Sequence, residues 1–313
     1  MEGLEEQNKH LQLRVLLAER RSRELNRLKL KDIFNPRTVM LCDNSNFADF
    51  VGHIDEALFL SHVPMVGFPP DAVRKNQFCS SKVSKVDCFT IKGEMFYVKC
   101  KQQQTIKDND LALTLLGYEA KILQLIGNHD NINEMIGMTF LNDSAPALLF
   151  RNLPQNSLKD RIESLTDFLS LTWVNSFIDG LCEAVTYIHS QGVIHNNIHL
   201  YSVRVFSYSG FPVLTNFEFA CRIESSKPLN ILLREKFDDK LDHLPFSVKN
   251  MEEAPSVSSV SSDQFSFGFI LTKVGSKLGY IETDTLRKYN KLVQRCLNRK
   301  GILCYLVRDW KYW

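Results

Sequence analysis

The sequence predicts an α+β protein of two lobes, rich in strands first and in helices after. Three observations carry this. Short runs of β-branched and aromatic residues, broken by turn residues, concentrate between residues 86 and 151. A long stretch at 168–190 then repeats apolar residues at spacings of three and four. With 313 residues, 44% of them hydrophobic, the chain can bury one large core or two lobes sharing a cleft.

The elements follow in order. Residues 4–31 contain no Gly or Pro and read as one helix, so 1–35 is taken as an N-terminal helical segment. Leu4, Leu11, Ala18 and Leu25 recur every seven residues, with Val15 and Leu28 widening the stripe. Asn8, Ser22 and Lys29 interrupt the complementary positions. Pairing between chains into a homodimer through a short coiled coil and packing on the chain's own domain both fit this pattern. Residues 36–75 carry little pattern and read as a connector holding one short helix near 47–60, broken by Pro64, Pro69 and Pro70. From residue 76 the pattern sharpens. Segments 86–92 and 95–101 read as strands joined by a Lys92-Gly93 turn. A helix fits 109–127, two strands fit 133–140 and 145–151, and the helix at 168–190 buries Val174, Ile178, Leu181, Val185 and Ile188. Ser256–Ser262 reads as a small Ser-rich loop.

Composition narrows the class. A formal net charge of +2 gives no whole-molecule reason to expect nucleic acid or a membrane surface. No stretch approaches the ~20 apolar residues that span a bilayer. Met1–Glu6 is acidic and polar, unlike a secretory leader. Eight cysteines form no CxxC pair, which predicts reduced thiols and a cytoplasmic protein.

Over roughly 76–300 the order of several landmarks resembles the eukaryotic protein kinase family. Phe96-Tyr97-Val98-Lys99 stands where that family has its VAIK strand. Glu119 follows in the next helix, ahead of Ile122-Leu123 and His129-Asp130-Asn131-Ile132. Phe150-Arg151-Asn152-Leu153 is similar to the hinge. Tyr187-Ile188-His189 through His195-Asn196-Asn197 is similar to the entrance of the catalytic loop. Thr215-Asn216-Phe217-Glu218 falls at T-D-F-G, and Ser262-Asp263-Gln264-Phe265-Ser266-Phe267-Gly268 resembles SDVWSFG. The resemblance implies a kinase-like domain at 76–313, with an N-lobe at 76–152 and a C-lobe at 153–313. That C-lobe is read as abbreviated, because Gln294-Arg295-Cys296-Leu297 follows Gly268 closely. Leu244-Pro245-Phe246 is the nearest match to A-P-E, and residues 304–313 match no landmark.

Set on these positions, the chemistry is degraded. Phosphoryl transfer relies on a carboxylate base, oxygen ligands for Mg²⁺ and a phosphate-gripping lysine. The resemblance puts Asn197 at the base, His199 at the loop lysine, Ser202 at the loop asparagine and Asn216 at the metal-binding aspartate. Cys79, Ser81 and Ser84 align with the three loop glycines. Tyr97 and Arg204 replace small or apolar residues that would flank adenine, and so read as pocket-blocking. Lys99 and Glu119 remain as a vestigial cofactor-binding pair, whose other reading is a bridge fixing helix to sheet. His195, Phe217 and Asp263 are implied to be structural. The spacing of His189, His195 and His199 also suits a metal site, but the structural reading outweighs it. No cofactor is expected, ATP and Mg²⁺ entering only through the resemblance. The reading is therefore a pseudokinase that binds or scaffolds other proteins through its kinase-like surface and N-terminal helix. The alternatives are a residual phosphotransferase using Glu218 or another acid, and a nucleotide-binding switch without catalysis.

Overall fold

The computed structural model describes residues 66–68, 71–80, 84–101, 109–141, 145–151, 153–223, 259–299 and 301–311. The readings for 1–35, for most of 36–75, and for Leu244-Pro245-Phe246 lie outside these residues. The described chain forms two compact units, dividing after Asn128, Ile132 and Leu153.

The first unit is a five-stranded antiparallel sheet with one helix. Its strands are β1 (Val73–Ser80), β2 (Ser84–Ile91), β3 (Glu94–Lys101), β4 (Glu134–Leu141) and β5 (Ala145–Arg151), in the order β1-β2-β3-β5-β4. Helix α1 (Asn109–Ile126) precedes β4. Lys92 and Gly93 join β2 to β3 with φ values of 51° and 83°. A two-residue hairpin with both residues left-handed matches the twist of its strands, and glycine takes one of those positions at little cost.

Alternation along β3 gives the sheet two different faces. Phe96, Val98 and Cys100 join Phe89, Ile91, Ala147 and Leu149 in one apolar cluster, with Val66, Phe68 and Ala72 packed against it. The Phe68 ring meets Phe89 edge-on at 5.0 Å, and the Val66 N–H donates to the Met138 carbonyl at 2.8 Å. The last residues read as connector are thus part of the sheet's packing, and β1 begins within that stretch at Val73. Two register irregularities, between Arg74 and Asn76 and between Gln77 and Cys79, break β1's period of two.

The second unit is mainly helical. It contains β6 (Asn156–Ser157), α2 (Leu158–Glu163), α3 (Leu171–Ser190), β7 (Val193–Ile194), β8 (Val203–Val205), β9 (Pro212–Leu214) and β10 (Cys221–Arg222). Beyond residue 258 come α4 (Val260–Gly275), α5 (Thr283–Leu297) and α6 (Leu303–Lys311). Helix α3 starts three residues later than its apolar pattern, because the Ser170 hydroxyl caps it by accepting the Trp173 N–H. The end of the serine-rich stretch is helix rather than loop. Ser259 and Ser262 form a reciprocal capping box that opens α4.

Residues 303–311, which match no landmark, form α6. Leu303, Leu306, Val307 and Trp310 are buried along one face, and Trp310 meets Tyr289 of α5 at 5.7 Å. Helix α5 packs tightly at Gly268 of α4, where a Cβ would sit 2.8 Å from Cys296 Cβ and 3.0 Å from the Leu297 backbone N. Among the described residues no helix is long and apolar enough to cross a membrane.

Candidate functional site

In the first unit, Lys99 on β3 and Glu119 on α1 meet at 2.7 Å, with side chains 4% and 1% exposed. The face of β3 opposite the apolar cluster carries Lys99 and Tyr97. Tyr97 pairs across the sheet with Cys88 and Phe150, and both aromatic residues are buried.

In the second unit, α3 ends in a turn where Gly192 takes φ 73° and delivers the chain into β7. The loop from His195 to Ser202 follows and is organised by Asp263 of α4. This carboxylate, 1% exposed, accepts the backbone N–H of His195 at 2.7 Å and of Asn196 at 2.9 Å. Its Oδ2 also lies 2.9 Å from His189 Nε2. Three contacts replace the water that a buried carboxylate gives up.

Both nitrogens of His195 are engaged. Nδ1 accepts the Asn197 N–H at 3.1 Å, and Nε2 lies 3.0 Å from the Thr215 carbonyl. A carbonyl only accepts, so the ring carries its proton on Nε2. Its edge packs on Phe217 at 4.5 Å between centroids. His199 Nδ1 accepts the Tyr201 N–H, and His189 is held by Asp263. The three histidines are thus drawn into separate local bonds, and among the described residues no group of His, Cys, Asp and Glu suits a metal ion.

The positions expected to hold the lost chemistry are built as follows. Asn197 is 3% exposed, and its buried Oδ1 has no hydrogen-bond partner among the described residues. The Ser202 hydroxyl accepts the His199 N–H at 2.8 Å and donates to the His199 carbonyl at 3.0 Å, so its proton closes a local turn. Asn216 adopts φ 66° and ψ 62° just before a 3₁₀ turn, Phe217–Phe219. Asparagine tolerates this left-handed backbone better than most residues. Glu218 is buried within that turn.

Arg204 on β8 is 5% exposed. Its Nε donates to the Pro154 carbonyl at 2.6 Å, and its Nη2 donates to the Gln155 carbonyl. The sequence gives no hint of this pairing, and it means that the guanidinium is hydrogen-bonded, not stranded. Sequence reasoning also passed over Asn196. At φ 60°, it sends its amide to the Phe219 carbonyl at 3.1 Å and to Cys221 Sγ at 3.3 Å. Its place immediately before Asn197 was the available signal. His129-Asp130-Asn131-Ile132, the landmark that follows α1, belongs to the second unit. Asn131 Nδ2 donates to the Pro212 carbonyl at 3.0 Å, and His129 stacks on Tyr187.

Mg²⁺ demands oxygen ligands, generally including one or two carboxylates. Asn197, Ser202 and Asn216 bring neutral oxygens only, and the Ser202 hydroxyl is engaged locally. This donor set does not fit the ion. The Lys99–Glu119 pair is the part of the arrangement that suits a nucleotide phosphate.

The family model of the protein kinase domain matches residues 80–300. The chain belongs to the protein kinase family. No curated protein matches it.

Proposed function

We propose that the chain is a pseudokinase, a protein kinase fold that binds or scaffolds other proteins without transferring phosphate. The observation that carries this is the neutral oxygen set at Asn197, Ser202 and Asn216, where transfer needs a carboxylate base and a charged metal site. An asparagine amide cannot take the substrate proton at useful cost. The pocket-blocking role of Tyr97 and Arg204 rests on the family resemblance. The partners in this reading are other proteins, met through the kinase-like surface at 76–313 and the N-terminal segment 1–35, whose seven-residue repeat also suits pairing of two chains. Free thiols at Cys88, Cys100, Cys182, Cys221, Cys296 and Cys304 support a cytoplasmic location.

A nucleotide-binding switch is the second reading, and the Lys99–Glu119 contact of 2.7 Å is what favours it. Thermal melting of the purified chain with millimolar ATP and Mg²⁺ separates the two. A ligand present at ~100 times its Kd adds ~2.7 kcal/mol to stability. The pseudokinase reading expects no shift beyond that of a non-binding control, and no radiolabel transfer to a generic substrate. A saturable shift removed by Lys99→Ala supports the switch. Transfer abolished by Glu218→Gln overturns both.

A further inference from the structure

The charge of the chain is unevenly placed. Residues 283–311 hold eight Lys and Arg against two Asp, a net of +6, while the whole chain is +2, which leaves −4 elsewhere. Helices α5 and α6 lie within this stretch, and between them runs a groove lined by Lys288, Lys291, Leu292, Arg295, Leu306, Asp309 and Trp310. Lys288, Lys291 and Arg295 stand at i, i+3 and i+7, one stripe of α5. Tyr289, Val293 and Cys296 fill the buried side of the same helix.

The groove has an apolar floor under a cationic rim. Leu292, Leu306 and Trp310 are buried beneath it, and the aliphatic stems of the basic residues add apolar surface above. Two of the cations carry bridges that are open to solvent. Lys288 meets Asp284 at 2.7 Å and Arg295 meets Asp309 at 3.2 Å, with the two aspartate side chains 57% and 43% exposed. Bridges this open contribute about 0–1 kcal/mol and yield readily to a better partner.

We infer that the α5–α6 groove docks an acidic segment of a partner protein, one that alternates Glu or Asp with an apolar anchor. Carboxylates meet the stripe of Lys288, Lys291 and Arg295, and an apolar side chain lies against their stems over the floor of Leu292, Leu306 and Trp310. Asp284 and Asp309 disfavour nucleic acid and anionic lipid. A uniformly negative surface meets both aspartates as like charges, whereas a peptide places neutral or basic residues opposite them. The net −4 on the rest of the chain further repels an extended polyanion. The inference names partner chemistry for the scaffold reading above. Its test uses no nucleotide, so the failure of one is distinct from the failure of the other.

The experiment is fluorescence anisotropy on the full chain with a labelled peptide of Glu-Glu-Leu repeats. The comparators are its Gln-Gln-Leu and Glu-Glu-Ser counterparts, duplex DNA and phosphatidylserine vesicles. The expected result is saturable binding of the Glu-Glu-Leu peptide, weakened by salt and at least about tenfold weaker for both substituted peptides. Lys288→Glu with Lys291→Glu is expected to lower affinity by about tenfold or more at an unchanged melting temperature. Arg287→Glu with Arg299→Glu, which lie outside the groove, matches that charge change and is expected to alter affinity by less than about twofold. If the reversed pair melts early, Lys288→Ala with Lys291→Ala replaces it. Absence of binding, equal loss in both pairs of variants, or tighter binding of DNA or vesicles overturns the inference.

Discussion

Arg204 donates from Nε to the carbonyl of Pro154 at 2.6 Å, fifty residues away in sequence and within the same compact unit. A buried cation tied to backbone holds two segments together as well as filling space. Arg204→Leu leaves the Pro154 and Gln155 carbonyls without this donor, and the expected cost is about 1–3 kcal/mol in urea unfolding. The same variant is expected to show no ATP melting shift on its own, since it leaves Tyr97 and the neutral oxygen set in place. Unchanged stability with a new ATP shift would make Arg204 a plug and nothing more.

Lys99 and Glu119 form a buried pair, and removing one partner strands the other. Lys99→Met or Glu119→Gln alone is expected to destabilise by about 3–5 kcal/mol, and the double variant by less than the sum of the two. Chemical unfolding of the four proteins in a double-mutant cycle measures the coupling. Additive single effects would mean that the pair does not brace helix α1 against the sheet.

Asp263→Ala removes the acceptor for the His195 and Asn196 N–H groups and the contact with His189 Nε2. The expected destabilisation is about 3 kcal/mol, because more than one buried donor is left unsatisfied. Hydrogen exchange gives a sharper reading than global melting, since the amides of His195 and Asn196 are expected to lose protection first.

Burial pushes the thiols of Cys182 and Cys296 up to about 12. At pH 8 the thiolate, which is the reactive form, is then about one part in 10⁴ of each. Iodoacetamide at pH 8 is expected to modify half-buried Cys304 while sparing Cys182 and Cys296 until the protein unfolds. Mass spectrometry of native and urea-treated protein checks this. Prompt native labelling of Cys182 would mean that α3 opens locally.

What the sequence made legible had local causes. The Lys92-Gly93 turn, the period of α3 and the helix at 109–126 all follow from side chains acting within a few residues. Strand β1 escaped because its two irregularities scramble the alternation that marks a strand. Helix α6 was legible and missed. Leu303, Leu306, Val307 and Trp310 recur at i, i+3, i+4 and i+7, a helical period in a stretch that matches no family landmark. Of the site residues that the resemblance singled out, His195, Asn197, His199 and Ser202 sit on one loop held by Asp263. The bonds of Arg204 and Asn196 were not legible, because they join groups far apart in sequence through backbone carbonyls that carry no sequence signal.

The Phe68 ring lying on Phe89 bears on where the molecule can be cut. A fragment beginning at residue 80, where the family match starts, loses Val66, Phe68, Ala72 and nearly all of β1. It bares the apolar face of Phe89, Ile91, Phe96 and Val98 and leaves β2 as an unpaired edge. Greasy strands with a free edge invite other chains to add on, so such a fragment is expected to aggregate on expression. A fragment that keeps this face covered has to include Val66 and Phe68.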